Sequence, residues 1–251
     1  MNFLLTGSEG FIGSYFIKLL KNKKIPFRKV NLKEINKKTK KNFTKKYTHL
    51  LHLSFRRKES KKNHIKNLGD LNFLIKNTHR ETKIVFISTV GILNNKHKKY
   101  SYHYSKKACE KKIIKERQNF LIIRFPNAYG KNQKGNFLIP SLLNKLKDKS
   151  DIYLNNYNDK RDFIYVEDVV SIIYLLKNLK NKTVNINSKN KYTVLEVCRK
   201  IIDLLKLNNK ILLKNRNSQL KRGFSLIKNM NLLKNYKFIN LQKGLKKIVK
   251  I

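Results

Sequence analysis

Near its amino terminus the chain reads Leu4-Leu5-Thr6-Gly7-Ser8-Glu9-Gly10-Phe11-Ile12-Gly13-Ser14-Tyr15-Phe16. An apolar run is broken by three glycines in a T-G-x-x-G-x-x-G spacing. It then resumes as an amphipathic pattern in which Ile12, Phe16, Leu19 and Leu20 share one face of a helix. Strand, glycine turn and helix in that order form the context in which this spacing cradles a dinucleotide pyrophosphate. Gly7 would permit the tight turn and Gly10 would let the backbone approach a pyrophosphate at the positive helix end. Gly13 would let the helix pack closely on the strand. The 251 residues include only nine glycines, and three of them sit here. Gly7, Gly10, Phe11, Ile12 and Gly13 are therefore the candidate cofactor-binding residues.

The same alternation continues along the chain. Apolar runs at Asn2 to Leu5, Phe27 to Val30, His49 to Leu53, Lys83 to Ser88 and Phe120 to Phe125 predict strands. Amphipathic segments lie between them, one with Leu68, Leu71, Leu74 and Ile75 on a single face. Strand, helix, strand, helix at this spacing predicts an α/β fold of Rossmann type, a doubly wound parallel sheet. After Pro126 the rhythm changes. A loop from Tyr129 to Asn136 precedes a helix near Phe137 to Lys147, strands near Ile152 to Tyr157, Asp162 to Tyr165 and Thr183 to Asn187, and helices at Val194 to Leu207 and Leu241 to Val249.

The net charge of +44, from 59 Lys and Arg against 15 Asp and Glu, raises the question of a nucleic-acid partner. Of these cations 49 are Lys and only 10 are Arg, spread through every segment. Arg is the residue suited to bidentate phosphate and base recognition, so this excess reads as solvated surface, and no specific nucleic-acid partner is expected. Cys109 and Cys198 are isolated thiols without metal-type spacing, so neither a disulfide framework nor a metal site is indicated. The first strand begins almost at Met1 and the longest apolar runs, such as Val169 to Leu176, are too short to span a bilayer. No membrane span and a cytoplasmic location are expected.

A carboxylate that would hold an NAD ribose is expected about 20 residues beyond the glycines. The second strand instead ends Arg28-Lys29-Val30-Asn31-Leu32-Lys33, with Glu34 the only acid near. Basic side chains, Lys29 among them, suit the 2′-phosphate of NADP, so NAD or NADP is expected with a lean to NADP. Further on, Tyr102 and Lys106 stand four apart in Ser101-Tyr102-His103-Tyr104-Ser105-Lys106, which places them on one helical face. None of the other 11 tyrosines has a Lys at that offset. The strand before it ends Ile87-Ser88-Thr89, putting hydroxyls at the carboxyl edge of the sheet, where ligands bind in such folds.

With these elements the sequence resembles the extended short-chain dehydrogenase/reductase superfamily, specifically the NAD-dependent epimerase/dehydratase family acting on nucleotide sugars. Asn67-Leu68-Gly69-Asp70-Leu71-Asn72-Phe73-Leu74 is similar to that family's N-x-x-G-T-x-N-L-L helix. Arg124 to Gly130 is similar to its R-x-x-N-x-Y-G segment, and Arg161 to Val169 to its R-D-F-I-Y-V-x-D-V segment. The resemblance implies that Tyr102 is the acid/base and that Lys106 lowers its pKa and holds the nicotinamide ribose. It further implies that Thr89 hydrogen-bonds the reacting oxygen, and that Asn127 and Arg161 touch the diphosphate of a nucleotide-sugar substrate.

The implied organisation is a cofactor domain over residues 1–128, with 160–186 returning to it, and a small C-terminal α/β substrate-binding subdomain from 129–159 and 187–251. A homodimer through Asn63 to Asn77 and Tyr102 to Glu116 is also implied. The expected activity is a sugar 4-epimerase or 4-keto reductase serving surface-polysaccharide synthesis. The rival readings are a non-catalytic NAD(P)-binding protein and an RNA-binding protein on the same fold. Departures from the family pattern are Val90-Gly91 in place of the acidic pair that follows this Thr in dehydratases, and His52-Leu53-Ser54-Phe55 in place of H-L-A-A.

Overall fold

The computed structural model describes residues 1–32, 46–94, 97–147, 151–214 and 233–249. The chain divides into two compact units, Met1–Phe125 with Val170–Ile186, and Pro126–Val169 with Asn187–Ile251.

The first unit holds strands β1 (Phe3–Thr6), β2 (Phe27–Val30), β3 (His49–His52), β4 (Lys83–Thr89), β5 (Phe120–Phe125) and β9 (Lys182–Asn185). They form one parallel sheet in the order β2-β1-β3-β4-β5-β9. Its helices are α1 (Phe11–Asn22), α2 (Lys61–Asn77), α3 (Tyr102–Glu116) and the later part of α5 (Val166–Leu176). Alternate residues of the strands separate two apolar layers, as strand pleating requires. Leu4, Leu50, Ile84, Phe86 and Ile122 pack with Leu71 and Leu74 of α2 and with Cys109 and Ile113 of α3. From the other side Phe16 of α1 meets Phe3 edge-on, with ring centroids 5.5 Å apart. The expected doubly wound α/β architecture is thus present. Strand order reverses at β1, which has β2 on one side and β3 on the other, and the carboxyl ends of β1 and β3 flank the switch point where ligands bind in open sheets.

The second unit contains β6 (Asn127–Tyr129), α4 (Leu138–Lys147), β7 (Ile152–Asn155), β8 (Lys160–Tyr165), the start of α5, β10 (Lys191–Thr193), α6 (Val194–Leu205), β11 (Ile211–Lys214) and α7 (Leu241–Val249). Strands β10, β8 and β6 make a mixed three-stranded sheet, and β11 pairs with β7. The rings of Tyr129, Phe163 and Tyr165 meet edge-on. Helix α7 approaches so closely at Gly244 that a Cβ there would lie 2.1 Å from the Tyr129 hydroxyl.

Two expectations change. The segment returning to the first unit is Val170–Ile186 rather than 160–186, because β8 pairs with β6 and β10 and not with the central sheet. Strands β6, β10 and β11 were not foreseen; the first two have three residues each, too few to show a period.

Candidate active site

The glycine loop is built by steric exclusion. Gly7 has φ +68°, and a Cβ on it would lie 2.6 Å from Ser54 N and 2.8 Å from the Leu53 carbonyl carbon. A Cβ on Gly13 would lie 2.2 Å from Gly7 O and 2.8 Å from Ser8 Cα, so the first turn of α1 rests directly on the loop. Gly10 caps α1 in an extended conformation without a side-chain hydrogen bond, and its N–H donates to Gly7 O at 3.1 Å. No acidic residue occupies the first turn. The N–H groups at this end therefore lack a side-chain partner and present the positive end of the helix dipole, the environment an anionic pyrophosphate needs. Thr6 anchors the loop from behind, its Oγ1 lying 2.7 Å from His52 Nδ1 and accepting the Ser54 N–H at 3.4 Å. Burial holds the His52 pKa down to about 3, so the imidazole is neutral and this tie between β1 and β3 persists at physiological pH. Arg28 and Lys29 stand on β2 beside Leu4 and Leu5 of β1, with Lys29 exposed. Lys33 and Glu34 lie outside the described residues.

The second cluster sits at the end of β4 and the start of α3. Ser101 caps α3 by accepting the Tyr104 N–H at 3.2 Å, while the Tyr102 N–H donates to Glu59 Oε1 at 3.3 Å. Tyr102 and Lys106 occupy successive turns, with Lys106 Nζ 5.9 Å from the Tyr102 ring centroid. Lys106 is buried. Its Nζ donates to Ile87 O at 2.6 Å and lies 4.0 Å from the Phe55 ring centroid and 4.5 Å from that of Phe86. Loss of solvent brings its pKa down to about 7, with Cys109 and Glu110 opposing and Arg57 adding to the fall. For Tyr102 the expected depression is absent. Burial pushes the phenol above its ordinary value, and the opposing cation is Arg57, whose guanidinium carbon lies 5.0 Å from the ring centroid. Half of the anticipated electrostatics is thus inverted, because enclosure by apolar rings costs both ionised forms their hydration.

Thr89 ends β4, and its Oγ1 accepts the Gly91 N–H at 3.2 Å, capping a 3₁₀ turn over Val90–Leu93. This bond uses the hydroxyl as acceptor and leaves its proton available to donate. Gly91 lies against His103, where a Cβ would come within 2.3 Å of Nε2. That contact brings the turn after Thr89 onto the first turn of α3. The helix itself is held by an ion pair not anticipated from the sequence. Arg124 of β5 donates through Nε and Nη2 to the buried Glu110 carboxylate, at 3.0 Å to Oε1 and 2.5 Å to Oε2, and through Nη1 to Asn185 at 3.3 Å.

The two residues expected at the substrate diphosphate both lie in the second unit. Asn127 opens β6, and its Nδ2 donates to Asp162 O at 2.9 Å. Arg161 in β8 pairs with Tyr192 in register and lies 3.9 Å from the Asp159 carboxylate. A cavity of about 610 Å³ lined by Met1, Asn2, Pro26, Lys46, Tyr47, Thr48 and Glu81 lies at the opposite, amino-terminal edge of β1 and β3, away from this chemistry. Among the described residues, no helix is long and apolar enough to cross a membrane.

Comparisons with known proteins bear on the fold and on part of the sequence. Residues 74–187 match the model of the NAD dependent epimerase/dehydratase family. A GDP-6-deoxy-D-talose 4-dehydrogenase of Aggregatibacter actinomycetemcomitans is 28% identical over 246 residues, covering 81% of this chain and 80% of that protein. Among solved structures, UDP-glucose 4-epimerase with UDP-glucose from Thermotoga maritima superposes with a TM-score of 0.82 at 19% identity, covering 100% of this chain and 98% of that one. RMD from Pseudomonas aeruginosa complexed with NADPH gives 0.80 at 17% identity, covering 99% and 97%. The chain is thus similar over residues 74–187 to the NAD dependent epimerase/dehydratase family, and it shares the fold of these solved structures.

Proposed function

We propose that the protein is an NAD(P)-dependent reductase of a nucleoside-diphosphate 4-keto sugar. The observation that carries this reading is the Tyr102 and Lys106 pair on α3 at the end of β4, with Thr89 capping the adjoining turn. A bound nicotinamide dinucleotide would supply the hydride. Gly7, Gly10, Phe11, Ile12 and Gly13 would hold its pyrophosphate, and Lys29 with Arg28 favours NADP over NAD. Tyr102 Oη gives its proton to the substrate's carbonyl oxygen as that carbon is reduced to the alcohol. A phenol kept protonated by burial is suited to donating in this direction. Thr89 donates a hydrogen bond to the same oxygen, and Lys106, with donors beyond the one given to Ile87 O, holds a ribose hydroxyl. Asn127 and Arg161 contact the substrate diphosphate. Val90 and Gly91 follow Thr89 where a dehydratase needs acids, which speaks against water elimination.

The relative named as a 4-dehydrogenase favours this oxidoreductase reading over a 4-epimerase. Ile65 and Ile114, 57% and 51% exposed on α2 and α3, fit the expected homodimer through those helices. The test begins by denaturing the purified protein and identifying any released dinucleotide. NADPH oxidation is then followed with nucleotide 4-keto sugars for the wild type and Tyr102→Phe. Exchangeable NADPH and a loss of at least 100-fold in Tyr102→Phe are expected. Tightly retained NAD with NADPH-independent epimer exchange would make the protein an epimerase, and full activity in Tyr102→Phe would remove the catalytic assignment.

A further inference from the structure

Phe55, which stands where the family pattern has a small residue, lies directly against Lys106. An ammonium has three N–H donors. One of them goes to Ile87 O at 2.6 Å, while the Phe55 and Phe86 ring centroids stand 4.0 and 4.5 Å from Nζ. Lys106 is only 4% exposed, so the ammonium is enclosed. A ribose hydroxyl bonded to Nζ has to lie about 3 Å from it, inside the shell that these two rings occupy. One ring therefore has to give way before Lys106 can hold a ribose.

The two rings differ in freedom. Phe86 belongs to β4, is wholly buried, stacks on His52 at 5.7 Å and packs in the core with α2 and α3. Phe55 is half-buried, on the stretch between β3 and α2 that is neither helix nor strand. The backbone on both sides of it is tied down. The Ser54 N–H donates to Thr6 Oγ1 at 3.4 Å, and Asn67 accepts the Arg56 N–H at 2.9 Å and donates to the Arg56 carbonyl at 3.0 Å. The ring that can leave is that of Phe55, and it leaves by rotating its side chain rather than by a swing of the loop.

We propose that Phe55 is a gate whose ring closes the ribose position at Lys106 and turns outward to admit the nicotinamide ribose of a bound dinucleotide. The gate rests on the proposed function for the identity of its ligand. Opening gives up the cation–π contact with Lys106 and the edge-on contact with Tyr102 at 5.5 Å. Contacts of these two kinds together bias the ring about tenfold toward the closed position, and the apparent affinity for the dinucleotide falls by about the same factor.

The experiment reads binding and needs no turnover. Calorimetry on the full chain compares NADPH with 2′,5′-ADP and NADH with ADP, each shorter ligand keeping the adenosine end and lacking the nicotinamide ribose. Phe55→Ala should tighten the dinucleotide about tenfold and leave its shorter counterpart unchanged. The chain has no tryptophan, so Phe55→Trp places a single fluorophore at the gate. Saturation with the oxidised dinucleotide should shift its emission to the red and raise its quenching by acrylamide, and the shorter ligand should do neither. Unchanged dinucleotide affinity in Phe55→Ala, an equal gain for both ligands, or an emission better protected from acrylamide with the dinucleotide than without it overturns the gate. Weaker dinucleotide binding in Phe55→Ala also overturns it and makes the ring a wall on which the cofactor rests. Should Phe55→Ala fail to fold, Phe55→Leu serves, because it keeps apolar bulk, loses the ring and should show the same contrast between the two ligands. Full activity in Tyr102→Phe would defeat the functional reading while leaving this binding contrast intact.

Discussion

The same chemical change, one added methyl, should have opposite effects at two glycines. At Gly13 a Cβ would lie 2.2 Å from Gly7 O, where ordinary contact begins at 3.4 Å, so the loop must recede by about 1.2 Å. The atom in the way is backbone, which cannot swing aside as a flexible side chain can. Overpacking of this kind costs about 1–3 kcal/mol, more than the ~1 kcal/mol that alanine gains over glycine in a helix. At about 2–4 °C per kcal/mol for a chain of this size, Gly13→Ala should melt several degrees below wild type. At Gly69, midway along α2, nothing lies within 4 Å of an added Cβ, so only the helix-propensity gain remains and Gly69→Ala should melt about 2–4 °C higher. A displacement of about 1 Å in a binding cradle weakens its function roughly 100-fold, so Gly13→Ala should also lose NADPH affinity, read by nucleotide fluorescence, while Gly69→Ala keeps it. Equal melting temperatures for the two variants, or wild-type NADPH affinity in Gly13→Ala, would refute the close-packing account of the loop.

Two further outcomes are expected. Glu110→Gln leaves the Arg124 guanidinium without its anion against a buried site and should cost about 3 kcal/mol in urea unfolding, whereas Arg124→Met combined with Glu110→Leu should recover most of it. A loss in the double variant as large as in the single one would mean that the pair stabilises beyond its desolvation. The acid side of the stability curve should carry a histidine signature. His49 and His52 are held neutral, at about 4 and about 3 against an ordinary 6.5, both chiefly by burial. The unfolded chain then binds more protons, so stability is full above pH 6.5 and falls with decreasing pH until the folded values are reached. The slope is at most ~1.4 kcal/mol per pH unit for each histidine. His52→Asn should flatten this limb between pH 6.5 and 3, and a limb parallel to wild type would refute the assignment.

The first unit was legible because its inner strands β1, β3, β4 and β5 are buried on both faces and its helices on one, so burial is written as a continuous apolar run against a 3.6-residue period. In the second unit the period fades. Strands β6, β10 and β11 pair with partners 36, 29 to 33 and 59 residues away in register, a dependence that no local window contains. The glycine loop was legible for a different reason, since a Cβ is excluded at fixed spacing whatever the composition. The ion pair that seats α3 was not, because nothing in the sequence links Glu110 to Arg124 until β5 lies beside the helix.

Arg57 shows why a strongly basic composition conceals a contact. Among 59 cations an arginine two residues beyond an atypical phenylalanine carries no signal, and its neighbour Arg56 looks identical in sequence. Only the fold separates them, by turning Arg56 to Asp70 and Arg57 to Tyr102. The Phe55 that departs from the family pattern is part of the same arrangement. It closes over Lys106 and strips its water, which lowers the charge available from the lysine that the resemblance assigned to the task. Phe55→Ala, by rehydrating Lys106, should therefore raise the lysine's pKa, and an unchanged lysine titration would refute this account of its burial.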